Sequence, residues 1–91
     1  MKQIFISVGN SDDKLTQAQW SEFVQRIGRI IDDYATEIHF GAVTLAAWDN
    51  VAWLIDCTDY LAPSLKNALT EYRQIYDLDS VAWLEGETEF I

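Results

Sequence analysis

The sequence is short of cysteine, histidine, proline and glycine, and each shortage excludes a class of protein. Its 91 residues include 1 Cys, 1 His, 1 Pro and 4 Gly. A lone cysteine excludes a disulfide scaffold and a cysteine-based zinc site, and a lone histidine excludes a multi-histidine metal site. The few prolines and glycines exclude collagen-like and linker-rich chains. Without a long apolar run or a basic leader before an apolar stretch, we expect neither a membrane span nor a signal peptide.

Basic residues are also scarce. The chain has 6 Lys and Arg against 15 Asp and Glu, which gives a net charge of −9 at pH 7. Because phosphate binding depends on Lys and Arg, this balance argues against direct binding of nucleic acid or of an anionic membrane. A hydrophobic content of 49% is enough for a folded core, and the length fits a single domain over residues 1–91. We expect a cytoplasmic protein.

Hydrophobic periodicity predicts the element order β-α-β-β-α-β. The segments rich in β-branched and aromatic residues, predicted as strands, are 2–8, 37–45, 51–56 and 81–85. Apolar stripes with helical spacing cover 17–34 and 61–76. This order is that of the ferredoxin-like plan, an α+β two-layer sandwich with two helices on one face of a four-stranded antiparallel sheet.

The first predicted helix has a clear start signal. Thr16 as the N-cap with Gln19 three residues later forms a capping box, and Leu15 before the cap can pack on Trp20. Gly28 lies inside the same helix, where glycine weakens helix propensity by about 1 kcal/mol relative to alanine. We interpret Gly28 as a point where a neighbouring element approaches the helix closely.

The uncompensated acids lie outside the predicted helices, which hold equal numbers of acids and bases. In the predicted topology, the loop after the first strand, the hairpin turn and the end of the second helix meet at one end of the sandwich. The acids predicted to gather there are Asp12, Asp13, Asp49, Asp77 and Asp79, with Lys14 as the nearby base. Both helices end in acids, although the helix dipole favours cations at that end. Such acids either serve a function or keep a small domain soluble.

The strands are apolar on both faces. Phe5 lies between Ile4 and Ile6, so apolar side chains fall on both faces of the first strand. The Val-Ala-Trp-Leu segments that contain Trp53 and Trp83 likewise have apolar residues at consecutive positions. A sheet with helices on only one face normally alternates apolar and polar residues. We therefore expect the second face to be covered by a dimer mate, a protein partner or the chain's own hairpin. The alternative is an ordinary surface, much of which is apolar in any protein.

Signals for catalysis and metal binding are weak. His39 and Cys57 on neighbouring strands have the residue types of a base and a nucleophile. A cysteine at a strand end more commonly packs as a small apolar residue, and His39 should face away from its two apolar neighbours by alternation. Asp77 and Asp79 lack the rest of a calcium-loop pattern. We predict no enzyme and no cofactor.

The sequence favours a non-enzymatic binding module that acts on a protein partner with a basic surface, since complementary charge steers association. The residues predicted to contact the partner are Asp12, Asp13, Asp49, Asp77, Asp79, Trp53, Trp83, Glu85, Glu87 and Glu89. If extended, the last three acids place carboxylates about 6.8 Å apart along one edge. That spacing suits mimicry of nucleic acid by a phage-type, anti-defence inhibitor of a nuclease or CRISPR effector.

A second hypothesis belongs to a different class, a dimeric domain that binds a small molecule or a metal ion. Its metal ligands would be Asp12, Asp13, Asp77 and Asp79, because carboxylate oxygens suit Mg²⁺ and Ca²⁺. The apolar second face of the sheet would then form the two-fold interface.

Overall fold

The strands and helices follow the predicted order β-α-β-β-α-β. A computed structural model describes residues 1–10, 14–45, 49–87, 89 and 91. The elements, numbered in chain order, are β1 (Lys2–Gly9), α1 (Gln17–Tyr34), β2 (Ala35–Leu45), β3 (Asp49–Cys57), α2 (Ala62–Ile75) and β4 (Val81–Gly86). The predicted order is confirmed, and both helices begin and end within one residue of the predicted bounds.

The strands form one antiparallel sheet in the order β2-β3-β1-β4. Strand β1 therefore lies inside the sheet, and β2 and β4 are its edges. Both helices bury their apolar stripes against the same face of this sheet. The architecture is the predicted ferredoxin-like α+β sandwich of two layers.

The core lies between the sheet and the helices. From the central strands it takes alternate residues, namely Ile4, Ile6, Val8, Val51, Trp53, Ile55 and Cys57. From the helices it takes Trp20, Phe23, Ile27, Ile31, Ala62, Leu65 and Leu69. We call this side of the sheet the helix face. The other side, which carries Gln3, Phe5 and Ser7 of β1 and the residues paired with them, is the open face.

The start of α1 is fixed by local hydrogen bonds. The Gln19 backbone amide donates to Thr16 Oγ1 at 3.2 Å, and the Thr16 amide donates to Gln19 Oε1 at 2.9 Å, which confirms the capping box. Before it, the buried Asn10 side chain accepts from the Leu15 amide at 2.8 Å and donates to the Leu15 carbonyl at 2.9 Å. These bonds tie the end of β1 to the start of α1, and the predicted staple residues both lie in the core.

The interpretation of Gly28 as a close-approach site is wrong. A Cβ built on this residue meets no atom within 4 Å apart from its own helix backbone and chain neighbours. The glycine lines an open groove between α1 and the edge strand β2, so nothing in the structure requires it.

Strand β2 contains a bulge that decides which of its side chains lie on the open face. Ile38 pairs with Ile55 on the helix face, but the next paired residue is Phe40, opposite Leu54 on the open face. His39 is the extra residue, and its side chain contacts Asp56. The expectation that His39 faces away from both apolar neighbours is therefore corrected. It faces away from Ile38 and shares the open face with Phe40, because a bulge interrupts the two-residue alternation.

Candidate protein-binding face

A row of large apolar side chains crosses the open face through every strand. Phe40 pairs with Leu54 across β2 and β3. Phe5 on β1 lies between Leu54 and Leu84, which belong to its two neighbouring strands. The three interstrand spacings of about 4.8 Å make the row about 14 Å long. Phe5 is 36% exposed, Phe40 47% and Leu84 66%. We call these residues the apolar row.

Small residues occupy the neighbouring row of the open face. Ser7 lies between Ala52 and Ala82 in the register, and Ala42 pairs with Ala52 on the edge strand. Large side chains in one row beside small residues in the next make a ridge with a shelf along its side.

Two hollows of the open face share Glu87 in their linings, and we call them together the groove. The first, of about 200 Å³, is lined by Phe5, Leu54 and Leu84 together with Glu85 and Glu87. The second, of about 360 Å³, is lined by Asp56 and Glu87. The groove therefore places apolar side chains and carboxylates side by side.

The excess negative charge of the molecule lies outside its helices. The open-face strand positions carry Glu37 and Asp56 as acids and, among the described residues, no lysine or arginine. The chain's bases all lie elsewhere and are Lys2, Lys14, Arg26, Arg29, Lys66 and Arg73. Those on α1 and α2 are balanced by equal numbers of helical acids. The net negative charge therefore belongs to the strands and the segments outside the helices.

Trp53 and Trp83, predicted to contact a partner, both lie on the helix face. Trp53 is only 8% exposed, so the structure corrects the expectation that its ring is available at the surface. Trp83 is half-buried, donates from Nε1 to Glu85 Oε1 at 3.1 Å, and lies with its ring centre 5.3 Å from Lys66 Nζ. Trp83 alone of this pair retains an accessible edge, away from the open face.

The structure brings part of the predicted acidic end together. Lys14 Nζ lies 3.1 Å from Asp79 Oδ1 and 4.0 Å from Asp77 Oδ2. Asp49 begins β3 at the same end, opposite Leu45. Asp12 and Asp13 lie outside the described residues. A cation from the chain itself thus already contacts the two carboxylates proposed as metal ligands at the end of α2.

Asp77 has a local structural reason for its position after α2. Its φ of 54° places it in the left-handed region, and its amide donates to the Gln74 carbonyl at 3.1 Å. The Leu78 amide donates to the Arg73 carbonyl at 3.0 Å. This pair of bonds is a Schellman motif, in which the left-handed residue is most often glycine and less often a short polar residue. The acid that opposes the helix dipole is therefore part of the helix cap.

Only one member of the predicted comb of glutamates lies in a strand. Strand β4 ends at Gly86, before Glu87 and Glu89. Glu85 is the member inside the strand, and its carboxylate accepts from Lys2 Nζ at 3.0 Å and from Trp83 Nε1. These hydrogen bonds hold the pKa of Glu85 below its usual value, and the bond from Lys2 has the larger effect.

His39 and Cys57 do not form a base and nucleophile pair. Cys57 lies on the helix face, is fully buried and donates from Sγ to the Tyr34 carbonyl at 3.6 Å. Burial raises the pKa of its thiol, which disfavours the reactive thiolate. His39 lies on the opposite side of the sheet against Asp56, so the sheet itself separates the two groups.

Part of the candidate face is predictable from the sequence. Phe5 and the apolar residues on both faces of the strands are evident from the alternation, and both contribute to the open face. Leu84 had a signal, since it follows Trp83 in a strand that is apolar on both sides. Phe40 had none, because its place on the open face depends on the bulge at His39.

Comparison with known proteins supports the fold. The chain matches no protein-family model and no curated protein. Among solved structures it resembles formyltetrahydrofolate deformylase from Burkholderia mallei, with a TM-score of 0.55 and 12% identity. The match covers 94% of this chain but only 27% of that protein. At this identity the likeness establishes the shared fold alone. Among the described residues, no helix is both long and apolar enough to span a membrane.

Proposed function

We propose that this chain is a non-enzymatic binding module that docks on a protein partner through the open face of its sheet. The apolar row is the observation that carries the proposal. It crosses the whole sheet in register, and Leu84, Phe40 and Phe5 are exposed. Contiguous exposed apolar surface with a polar border commonly marks an interaction site, because its burial releases ordered water.

The charge of the face favours a partner whose apolar patch is bordered by Lys or Arg. Glu37 and Asp56 lie at one end of the open face, and Glu87 borders the groove there. An apolar side chain of the partner fits beside Phe5 and Leu84, and a basic side chain next to it reaches the carboxylates. A second copy would bring like charges together and a net charge of −9 from each chain.

The placement of the candidate chemical groups supports the non-enzymatic part of the proposal. The buried Cys57 and the open-face His39 lie on opposite sides of the sheet. Inhibition by occupying a basic, phosphate-binding surface is one form of this docking role. The end of β4 at Gly86 leaves Glu85 as the single comb carboxylate held in strand geometry, so docking depends more on the apolar row than on phosphate mimicry.

The proposal is tested by capture from the native host with matched variants. Leu84→Ser changes a side chain of the apolar row that is 66% exposed, and Ile75→Ser makes an equivalent change at a side chain on α2 that is 70% exposed. Both changes should alter stability by less than about 0.5–1 kcal/mol, since exposed sites contribute little to folding. We expect a partner that is retained by the wild type and by Ile75→Ser, lost with Leu84→Ser, and weakened as salt rises.

Other outcomes contradict the proposal in distinct ways. If Leu84→Ser retains the partner as well as the wild type does, the open face is not the binding surface. If the retained amount does not change with salt, the partner's apolar patch is not bordered by basic residues. Sedimentation of the isolated chain as a dimer that Leu84→Ser dissociates would assign the face to a second copy.

A further inference from the structure

Three potential metal ligands meet at the polar end of the open face, on β2 and β3. His39 Nε2 lies 3.0 Å from Asp56 Oδ2, and His39 Nδ1 lies 4.0 Å from Glu37 Oε1. One donor atom from each of the three side chains lies within 4.8 Å of the other two. Ligands of one tetrahedral ion at about 2.1 Å are about 3.4 Å apart, so side-chain rotation has to bring donor atoms that lie within 4.8 Å closer together, with one imidazole nitrogen of His39 as the ligand.

The strand pairing holds two of these groups, the carboxylates, close together although their like charges repel. Glu37 pairs directly with Asp56 across the two strands, and like charges in that position are unfavourable. The bulge places His39 beside them on the same face. Bulges of this kind commonly redirect a side chain next to a functional site.

Asp56 provides a second observation that supports a cation-binding role. Its side chain is only 18% exposed, and its Oδ1 is buried without a hydrogen-bond partner among the described residues. A buried carboxylate oxygen normally has a donor or a cation, because leaving it without either costs free energy. His39 contacts the other oxygen of this carboxylate and leaves Oδ1 unsatisfied.

We propose that Glu37, His39 and Asp56 form a binding site for a divalent transition metal of the Zn²⁺ class. An imidazole nitrogen with two carboxylate oxygens suits Zn²⁺, Co²⁺ or Ni²⁺. Ca²⁺ takes six to eight oxygen ligands, which this site does not supply. Three protein ligands leave one tetrahedral position for water or for a side chain of a docked partner. The site shares Glu37 and Asp56 with the acidic border of the open face but no residue with the apolar row, so metal binding can be tested separately from docking through that row.

The test is a calorimetric titration of the purified chain with ZnCl₂, with CaCl₂ in parallel. His39→Gln and Glu37→Gln remove ligands, and Glu71→Gln on α2 is the matched control because it removes an exposed acid outside the site. Circular dichroism and urea unfolding establish that each variant is folded. Titration with Co²⁺ reports the ligand set through its visible absorption bands.

We expect one Zn²⁺ per chain, with the affinity reduced about tenfold or more in His39→Gln and Glu37→Gln and unchanged in Glu71→Gln. Co²⁺ should give absorption bands that are lost in His39→Gln. Zn²⁺ binding weaker than about millimolar, or equal in His39→Gln, would overturn the site. Ca²⁺ binding as tight as that of Zn²⁺ would overturn the assigned class of metal.

Discussion

Gly41 lies directly against the indole ring of Trp53. The two residues pair across β2 and β3, and a Cβ built on Gly41 would lie 3.1 Å from Trp53 Cδ1 and 3.4 Å from Nε1. The bulge at His39 is what brings Gly41 to the helix face, where the buried ring lies. The missing Cβ therefore lets the edge strand approach the tryptophan that closes this side of the core.

The two glycines on either side of the groove between α1 and β2 predict opposite mutational effects. We expect Gly28→Ala to raise the free energy of unfolding by about 1 kcal/mol, because alanine favours the helix and the new methyl meets no neighbour. Gly41→Ala should lower it, because the same methyl is forced against Trp53. Urea unfolding measures both. Stabilisation by Gly41→Ala as large as that by Gly28→Ala would contradict the packing described for Trp53.

The cap of α2 predicts an order of stability at residue 77. Asp77→Gly should stabilise the chain and Asp77→Ala should destabilise it, because only glycine adopts a positive φ without cost. We expect glycine to exceed alanine by about 1–2 kcal/mol in the free energy of unfolding. Asp79→Ala removes the neighbouring carboxylate as a control for charge. If both substitutions at residue 77 gave equal stability, the left-handed conformation would not determine the effect.

Glu85 predicts a contribution to stability that is lost in acid. Its pKa is held below the usual value of 4.5 by the hydrogen bond from Lys2 and then by that from Trp83. Because the pKa of Glu85 is lower in the folded than in the unfolded chain, ionised Glu85 stabilises the fold. This stabilisation is fully present when the pH is above the unfolded-state pKa. This contribution disappears as the pH falls below 4.5 toward the folded-state pKa.

The measurement for Glu85 is the thermal midpoint as a function of pH. Between about pH 6 and pH 3, Glu85→Gln should lose less stability on acidification than the wild type does. Glu87→Gln removes the same charge beyond the end of β4 and should keep the wild-type profile. Parallel profiles for wild type and Glu85→Gln would show that the contacts of Glu85 with Lys2 and Trp83 do not affect folding.

The fold was predictable because its signals are local and agree with one another. The capping box of Thr16 and Gln19 defines the start of α1, and alternation along Ile4, Ile6 and Val8 defines the helix face of β1. Short connections between elements of these types leave few arrangements of the sheet. The ferredoxin-like order follows from those patterns together.

The candidate face was less predictable because it depends on register, which is a non-local property. A one-residue bulge at His39 moves Phe40 to the open face and Gly41 to the helix face. No residue in that segment marks the bulge, so simple alternation from Ile38 places His39 correctly but puts Phe40 and Gly41 on the wrong faces. Alternation also does not decide the faces of Trp53 and Trp83, since both strands are apolar on either side.

The distribution of charge also affects how the molecule meets other molecules. The helices as a pair carry no net charge, so the excess negative charge lies with the strands and the connecting segments. If the open face docks on a basic surface as proposed, Glu37 and Asp56 would favour encounters in which that face, and not α1 or α2, meets the partner first.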